Sequence, residues 1–159
     1  MMRPSTVFIS LLIILLAASA CDRRAVYDRF ATIEGEQWEW DEVREFDVDL
    51  NDTSTLYNVL IQIRHTTDYP MRNLYLFVHL EGPSGQTLTD TINYMLANPD
   101  GSWIGKGVGN LRELRYLYRK NTRFPEPGTY TVRLEQGMRV PGLPVTDVGI
   151  RVETTPQNR

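Results

Sequence analysis

Apolar and polar residues alternate along most of the chain with a period of two. Phe46, Val48 and Leu50 are separated by aspartates, and residues 57–63 repeat this pattern. Successive side chains of a strand point to opposite faces of a sheet, so the alternation predicts half-buried β-strands. Residues 74–80 form a short, nearly continuous apolar run that is rich in aromatic residues, which predicts a central strand.

Turn-forming residues divide the rest of the chain into further short strands. The run Gly-Pro-Ser-Gly at 82–85 predicts a hairpin whose return strand covers 87–96, and Asn-Pro-Asp-Gly at 98–101 predicts the next turn. Glycines recur at every second position within 103–108, which is typical of a bulged or closely approached strand. A final strand is predicted over 145–152.

Two further segments complete the prediction of the fold class. Residues 111–120 fit either a helical face or a strand, and the strand is favoured because the surrounding elements are all predicted to be β. The run Phe-Pro-Glu-Pro-Gly-Thr-Tyr-Thr-Val at 124–132 has the pattern of a tyrosine corner, in which the hydroxyl of Tyr130 caps backbone groups of the turn. Seven to eight short strands with regular turns predict an all-β protein, an antiparallel β-sandwich of jelly-roll or immunoglobulin-like type.

The amino-terminal segment has the pattern of a lipoprotein signal peptide. Arg3 precedes an uncharged apolar stretch at 7–17, and small residues at 18–20 lead into Cys21, the only cysteine. The pattern predicts cleavage before Cys21 and lipidation of its thiol, which anchors the protein firmly in a membrane. The stretch is shorter than the roughly 20 apolar residues of a membrane-spanning helix. An uncleaved anchor and a soluble secreted protein remain as alternatives.

These observations predict the organisation of the chain and its location. A signal peptide covers 1–20, a lipidated polar tether 21–30, a β-sandwich domain 31–153 and a polar tail 154–159. We expect a lipid-anchored protein of the cell envelope that faces the periplasm or the cell surface, with the outer membrane favoured.

Charge and cysteine content exclude some classes of function. The chain has 17 Lys and Arg against 20 Asp and Glu, a net charge of −3, and no basic cluster of the kind that binds nucleic acid. With its single cysteine acylated, the protein can form no internal disulfide.

Residues that could support catalysis or bind a metal are few. His65 lies at the end of a predicted strand and is expected to be solvated, whereas His79 is expected in the core or on a sheet face. No spacing of histidine, cysteine or acidic residues is typical of a metal site, and no nucleophile motif is present. We therefore expect a protein that is not an enzyme and that needs no metal or other cofactor.

Two groups of residues are candidates for contact with a partner. Trp38 and Trp40 share one face of a short extended segment, and Trp103 follows a turn at a predicted sheet edge. Tryptophan is enriched in interfaces, although all three could instead plug the sandwich or cover its edge. The second candidate is a basic and aromatic strip over 112–123 that includes Arg115 and Arg119; it fits either an acidic partner or a solvated face.

The order of several motifs resembles the gliding-motility lipoprotein GldH family of the Bacteroidetes over nearly the whole chain. The motifs are Cys-Asp at 21–22 with Val-Tyr-Asp at 26–28, and the segments 57–64, 69–78, 83–91, 99–107, 124–132, 135–139 and 146–153. This resemblance implies a membrane-anchored, non-enzymatic component that is needed for surface gliding and linked to the type IX secretion machinery. It implies partners among the proteins of that machinery and no catalytic residues. The alternative function is an envelope lipoprotein that binds a ligand of carbohydrate type through its tryptophans.

Overall fold

The structure, a computed structural model, describes residues 24–156 and consists of eight strands and one short 3-10 helix. The helix covers Glu34–Glu36. The strands are β1 (Ala25–Thr32), β2 (Arg44–Leu50), β3 (Tyr57–Thr66), β4 (Asn73–Glu81), β5 (Thr87–Met95), β6 (Leu111–Thr122), β7 (Gly128–Gln136) and β8 (Val145–Thr154). The predicted signal peptide and Cys21 lie outside the described residues. No helix within 24–156 is long and apolar enough to cross a bilayer.

The strands form two four-stranded antiparallel sheets, in the orders β1-β8-β3-β6 and β2-β7-β4-β5. β4 pairs with β5, β3 with β6, β2 with β7 and β1 with β8, so the chain resembles one long hairpin rolled into two layers. This is the strand order of a jelly roll. The predictions of an all-β antiparallel sandwich and of a strand over 111–120 are confirmed, and the jelly roll is the alternative that applies.

The apolar positions of the alternating pattern fill the space between the sheets. Ile61 and Ile63 of β3 and Leu74, Leu76 and Val78 of β4 are completely buried, while their sequence neighbours lie on the outer faces. Burial of these side chains is the main favourable contribution to folding, at about 1.5–3 kcal/mol for each large one.

β1 corrects the predicted boundary of the tether. It pairs with β8 along its length, with a bulge at Val26, and the carboxylate of Asp28 accepts hydrogen bonds from Gln62, at 2.7 Å, and from Arg151. The prediction of a tether over 21–30 is therefore wrong from Ala25 onward. At the other end, Thr154 of the predicted tail is the last residue of β8. β1 was not predicted from the sequence because it is an edge strand with few buried side chains, and its alternation of apolar and polar residues is therefore weak.

The antiparallel pairing places the connections at two opposite poles. The N-terminal pole holds the start of β1, the end of β8 and the loops 51–56, 82–86 and 123–127. The distal pole holds the loops 33–43, 67–72, 96–110 and 137–144. The tryptophans, the glycine-rich segment and the start of β6 therefore lie at the distal pole, away from the start of β1.

Candidate interaction surface

The two tryptophans at 38 and 40 differ in exposure. Trp38 is 0% exposed; its backbone pairs with Leu143, and its indole Nε1 donates to the carbonyl of Glu42 at 2.8 Å. Trp40 is 57% exposed. The two side chains therefore do not present a common face to a partner. Trp38 plugs the end of the sandwich, and Trp40 alone is open to contact.

Trp103 closes the distal end of the core over a buried histidine. Its ring lies 4.7 Å from that of His65, which also packs against Tyr69 at 5.6 Å between ring centroids. His65 is 0% exposed, so the expectation that it is solvated is wrong. This burial could not be predicted from the local sequence, because the covering residue comes from a loop 38 positions later.

The protonation of His65 follows from its surroundings. Its Nδ1 donates to the carbonyl of Thr66 at 2.8 Å, while Nε2 is buried and has no hydrogen-bond partner among the described residues. Burial lowers the pKa of His65 below its ordinary value of 6.5, and the neighbouring Arg112 lowers it further. His65 is thus a neutral core residue that supports the loop above it.

The glycine-rich segment passes very close to the first residues of β6. A Cβ atom on Gly107 would lie 1.8 Å from the carbonyl oxygen of Leu111, and one on Gly105 would lie 2.7 Å from that of Glu113. Between these glycines, Lys106 and Glu113 exchange two backbone hydrogen bonds, at 3.0 and 2.7 Å. The predicted close approach is confirmed, but the segment is joined by isolated bridges and does not form a continuous strand.

An open groove of about 670 Å³ lies between this segment and β6. Its walls include Ile104, Leu111 and Tyr116, with Lys106 and Arg115 as cations. Beside it, the loop exposes Val108 almost fully, at 90%. Ile104, Val108 and Leu111 thus place exposed apolar side chains around the groove.

The basic strip predicted over 112–123 divides into two parts. Arg115 lines the groove and lies 3.3 Å from the carboxylate of Glu113, which also accepts a hydrogen bond from Arg64 at 2.8 Å. Arg119 instead donates to Asp90 of β5 at 2.7 Å. Arg115 therefore lines the open groove, whereas Arg119 helps to join the two sheets.

The junction between β5 and β6 consists largely of tyrosines. Tyr94 and Tyr116 stack at 3.9 Å between ring centroids, and the hydroxyl of Tyr118 donates to Asp90 at 2.6 Å. Burial raises the pKa of both Tyr116 and Tyr118 to about 12, with the carboxylate of Asp90 adding to the effect at Tyr118. These hydroxyls remain protonated donors, which suits a structural role.

No group of three or more histidine, cysteine or acidic side chains within 24–156 is arranged to hold a metal ion. The sequence predicted Trp40 and Arg115 as residues of a contact surface, but not the apolar residues Ile104 and Val108. Their position in a glycine-rich connection, where polar residues are usual, was the signal that could have found them.

Comparisons with known proteins match most of the chain to one family. A model of the GldH lipoprotein family matches residues 25–152. The chain is 36% identical over 156 residues to a gliding motility lipoprotein GldH homolog of Christiangramia forsetii, covering 93% of this chain and 94% of that protein. It is 37% identical over 152 residues to gliding motility lipoprotein GldH of Flavobacterium johnsoniae, covering 89% and 94%.

Similarity to a solved structure is much weaker. The VP2 subviral particle of infectious bursal disease virus is 15% identical, with a TM-score of 0.29, over 84% of this chain and 33% of the viral one. A likeness of this size has no bearing on function.

Proposed function

Because the chain belongs to the GldH lipoprotein family, we propose that it is a non-catalytic component of the gliding motility machinery and of the type IX secretion apparatus linked to it. The observation that carries this proposal is the similarity, over about nine-tenths of the chain, to proteins named for gliding motility. In this proposal the protein is anchored in the envelope by its lipid and acts through contacts with other proteins.

The position of β1 supports a specific orientation on the membrane. Only three residues, 22–24, separate the predicted lipidated Cys21 from the first residue of β1. Fully extended, the four steps from Cys21 to Ala25 span at most about 14 Å. The N-terminal pole is therefore held against the bilayer, which we propose to be the outer membrane, and the distal pole points away from it.

The distal pole is the surface that we propose for partner contact. It carries the exposed Trp40, Ile104 and Val108 and the groove beside β6. An anchored protein that lacks a reaction of its own needs such a surface where other components can reach it.

A deletion strain tests the role. We expect loss of colony spreading or of type IX cargo secretion, rescued by the wild-type gene but not by Cys21→Ser, which cannot be lipidated. Immunoblots of membrane and soluble fractions report whether the serine variant is made and released. Unchanged spreading and secretion in the deletion strain would contradict the proposal.

The carbohydrate-binding alternative has less support from the described surface. A stacking platform needs exposed aromatic faces, and of the three tryptophans Trp38 is buried and Trp103 packs on His65. Titration with a panel of glycans, followed by tryptophan fluorescence, tests this alternative. A change in fluorescence on glycan addition that is lost in Trp40→Ala would support it.

A further inference from the structure

β6 has an unpaired backbone edge next to the groove. Its only strand neighbour among the described residues is β3, and at twelve residues it is the longest strand of the fold. Natural proteins cover or disrupt such edges, because a free row of N–H and C=O groups can pair with another chain.

The loop covers only the first part of this edge. Glu113 directs its backbone groups outward, toward Lys106, and alternation along an antiparallel strand directs those of Arg115 and Leu117 outward too. Two residues before Lys106, however, the loop turns away, because the N–H of Ile104 donates to the carbonyl of Leu96 at 2.9 Å. The edge at Arg115 and Leu117 is therefore left without a strand partner in the described part of the chain.

Side chains beside this edge define the chemistry of a partner. Leu117 is 49% exposed, and it lies on the same face of β6 as Arg115. The carboxylate of Glu113 is shared between Arg64 and Arg115, and Lys106 adds a further cation to the groove. A carboxylate opposite Arg115 and an apolar side chain opposite Leu117 would each gain a favourable cross-strand neighbour.

A second copy of this chain is a poor fit to the same edge. β6 carries Arg112, Arg115, Arg119 and Lys120, with Glu113 as its only acidic residue. Pairing two β6 strands would bring these cations close to one another, and like charges across a strand pair are destabilising. The charge pattern therefore favours an acidic partner over self-association.

We propose that an extended segment of a partner protein, with acidic and apolar side chains, adds to the first sheet along β6 at Arg115 and Leu117. This proposal rests on the proposed function, since the partner is a component of the motility machinery. Backbone hydrogen bonds to the β6 edge supply affinity in this mode of binding, and the neighbouring side chains supply specificity.

Two variants of β6 test the proposal in cells. Leu117→Pro removes an outward N–H without breaking the β3–β6 ladder, and Arg115→Glu reverses the charge. Thr91→Pro on β5 is the matched control. The N–H of Leu96 donates to the carbonyl of Arg72, and the N–H of Gly82 donates to that of Gln86. In this register the even-numbered residues of β5 direct their backbone groups toward β4, so the N–H of Thr91 points outward at the edge of the other sheet.

In a deletion strain, we expect Leu117→Pro to lower colony spreading to the level of the deletion, Arg115→Glu to reduce it, and Thr91→Pro to restore it. Equal protein amounts on immunoblots and equal melting temperatures exclude misfolding as the cause. Wild-type spreading with both β6 variants would overturn the proposal while leaving the proposed function intact.

A second measurement does not depend on motility. The acylated chain in detergent is mixed with a short peptide in which Glu alternates with Val, and hydrogen–deuterium exchange is followed over 111–122. At about ten times its dissociation constant, the peptide should slow exchange of the edge amides about tenfold, and the same peptide with Lys for Glu should not. Equal protection by both peptides, no protection by either, or a wild-type dimer that Leu117→Pro dissociates would each overturn the proposal.

Discussion

Tyr130 ties the β6–β7 connection to the sheet through a single hydroxyl group. The hydroxyl donates to the carbonyl of Glu126 at 2.9 Å and accepts from the backbone N–H of the same residue at 3.2 Å. This is the contact that the sequence pattern predicted for a tyrosine corner, and it is confirmed. The motif was predictable because the Pro-Gly turn and the tyrosine are close in sequence.

We expect Tyr130→Phe to lower the free energy of unfolding by about 1 kcal/mol. The ring remains packed against Phe124, at 4.7 Å between centroids, so the loss is that of the hydroxyl's hydrogen bonds. Urea denaturation measures the change. Tyr75→Phe on the exposed outer face is the control and should have little effect; an equal loss in both variants would contradict the role given to the corner.

His65 gives the stability of the protein a pH dependence with a defined sign. Its pKa is lowered in the folded state, so the unfolded chain takes up the proton first as the pH falls. The stabilising effect of neutral His65 is present above pH 6.5 and is lost as the pH falls from 6.5 through the lowered pKa.

Urea denaturation at a series of pH values checks this prediction. We expect the slope below pH 6.5 to be smaller in His65→Leu than in the wild type. The titration of Asp52 does not interfere with the slope measured below pH 6.5. Hydrogen bonds from the Ser54 and Thr55 side chains hold its pKa below the ordinary value of 3.8, so its contribution is lost only in a more acidic range. An unchanged slope in His65→Leu would assign the effect to another group.

At the scale of elements, the close approach of the glycine-rich segment to β6 determines the shape of the groove. We expect Gly107→Ala to displace this segment and to destabilise the protein by about 1–3 kcal/mol, because the added methyl group meets backbone atoms of Leu111. Loss of amide protection at Lys106 and Glu113 in hydrogen exchange reports the displacement.

Gly82→Ala is the matched control for this substitution. A Cβ atom there meets the ring of Tyr130 at 3.5 Å, an ordinary contact distance. If the amide of Lys106 remained protected from hydrogen exchange in Gly107→Ala, the segment would be able to adjust without losing its backbone hydrogen bonds to β6, and the prediction would be contradicted.

The strands differ in how readily the sequence reveals them. β2, β3 and β7 each bury one face against the core, so their alternation is plain. β1 lies at an edge, and even its apolar Val26 is half exposed. The groove could not be predicted because its walls come from a loop and a strand whose distance is set by the fold, not by the local pattern.

At the scale of the whole molecule, the proposed anchor at Cys21 and the short link from it to β1 allow the height of each pole above the membrane to be measured. A strand of ten residues is about 33 Å long, so Val108 at the distal pole should stand far from the bilayer and Ser54 at the N-terminal pole close to it. Since Cys21 is the only cysteine and we propose that its thiol is acylated, Val108→Cys and Ser54→Cys each add a single site for a fluorophore.

In vesicles that contain lipids with a nitroxide on the headgroup, we expect strong quenching of the label at 54 and weak quenching at 108. A flexible Gly-Ser insertion after Asp22 should reduce the difference, because the domain then moves freely. Equal quenching at both positions without the insertion would contradict the orientation.

The pairing of β1 with β8 also sets the order of events during folding. Asp28 and Arg151, which are bonded across this pair, are 123 positions apart in sequence. A chain that emerges amino terminus first cannot complete its first sheet until its last strand has emerged, and contacts of such long range fold slowly. In the proposed lipoprotein, the lipid is therefore available for membrane insertion during a period in which the strands are still open to proteases and chaperones.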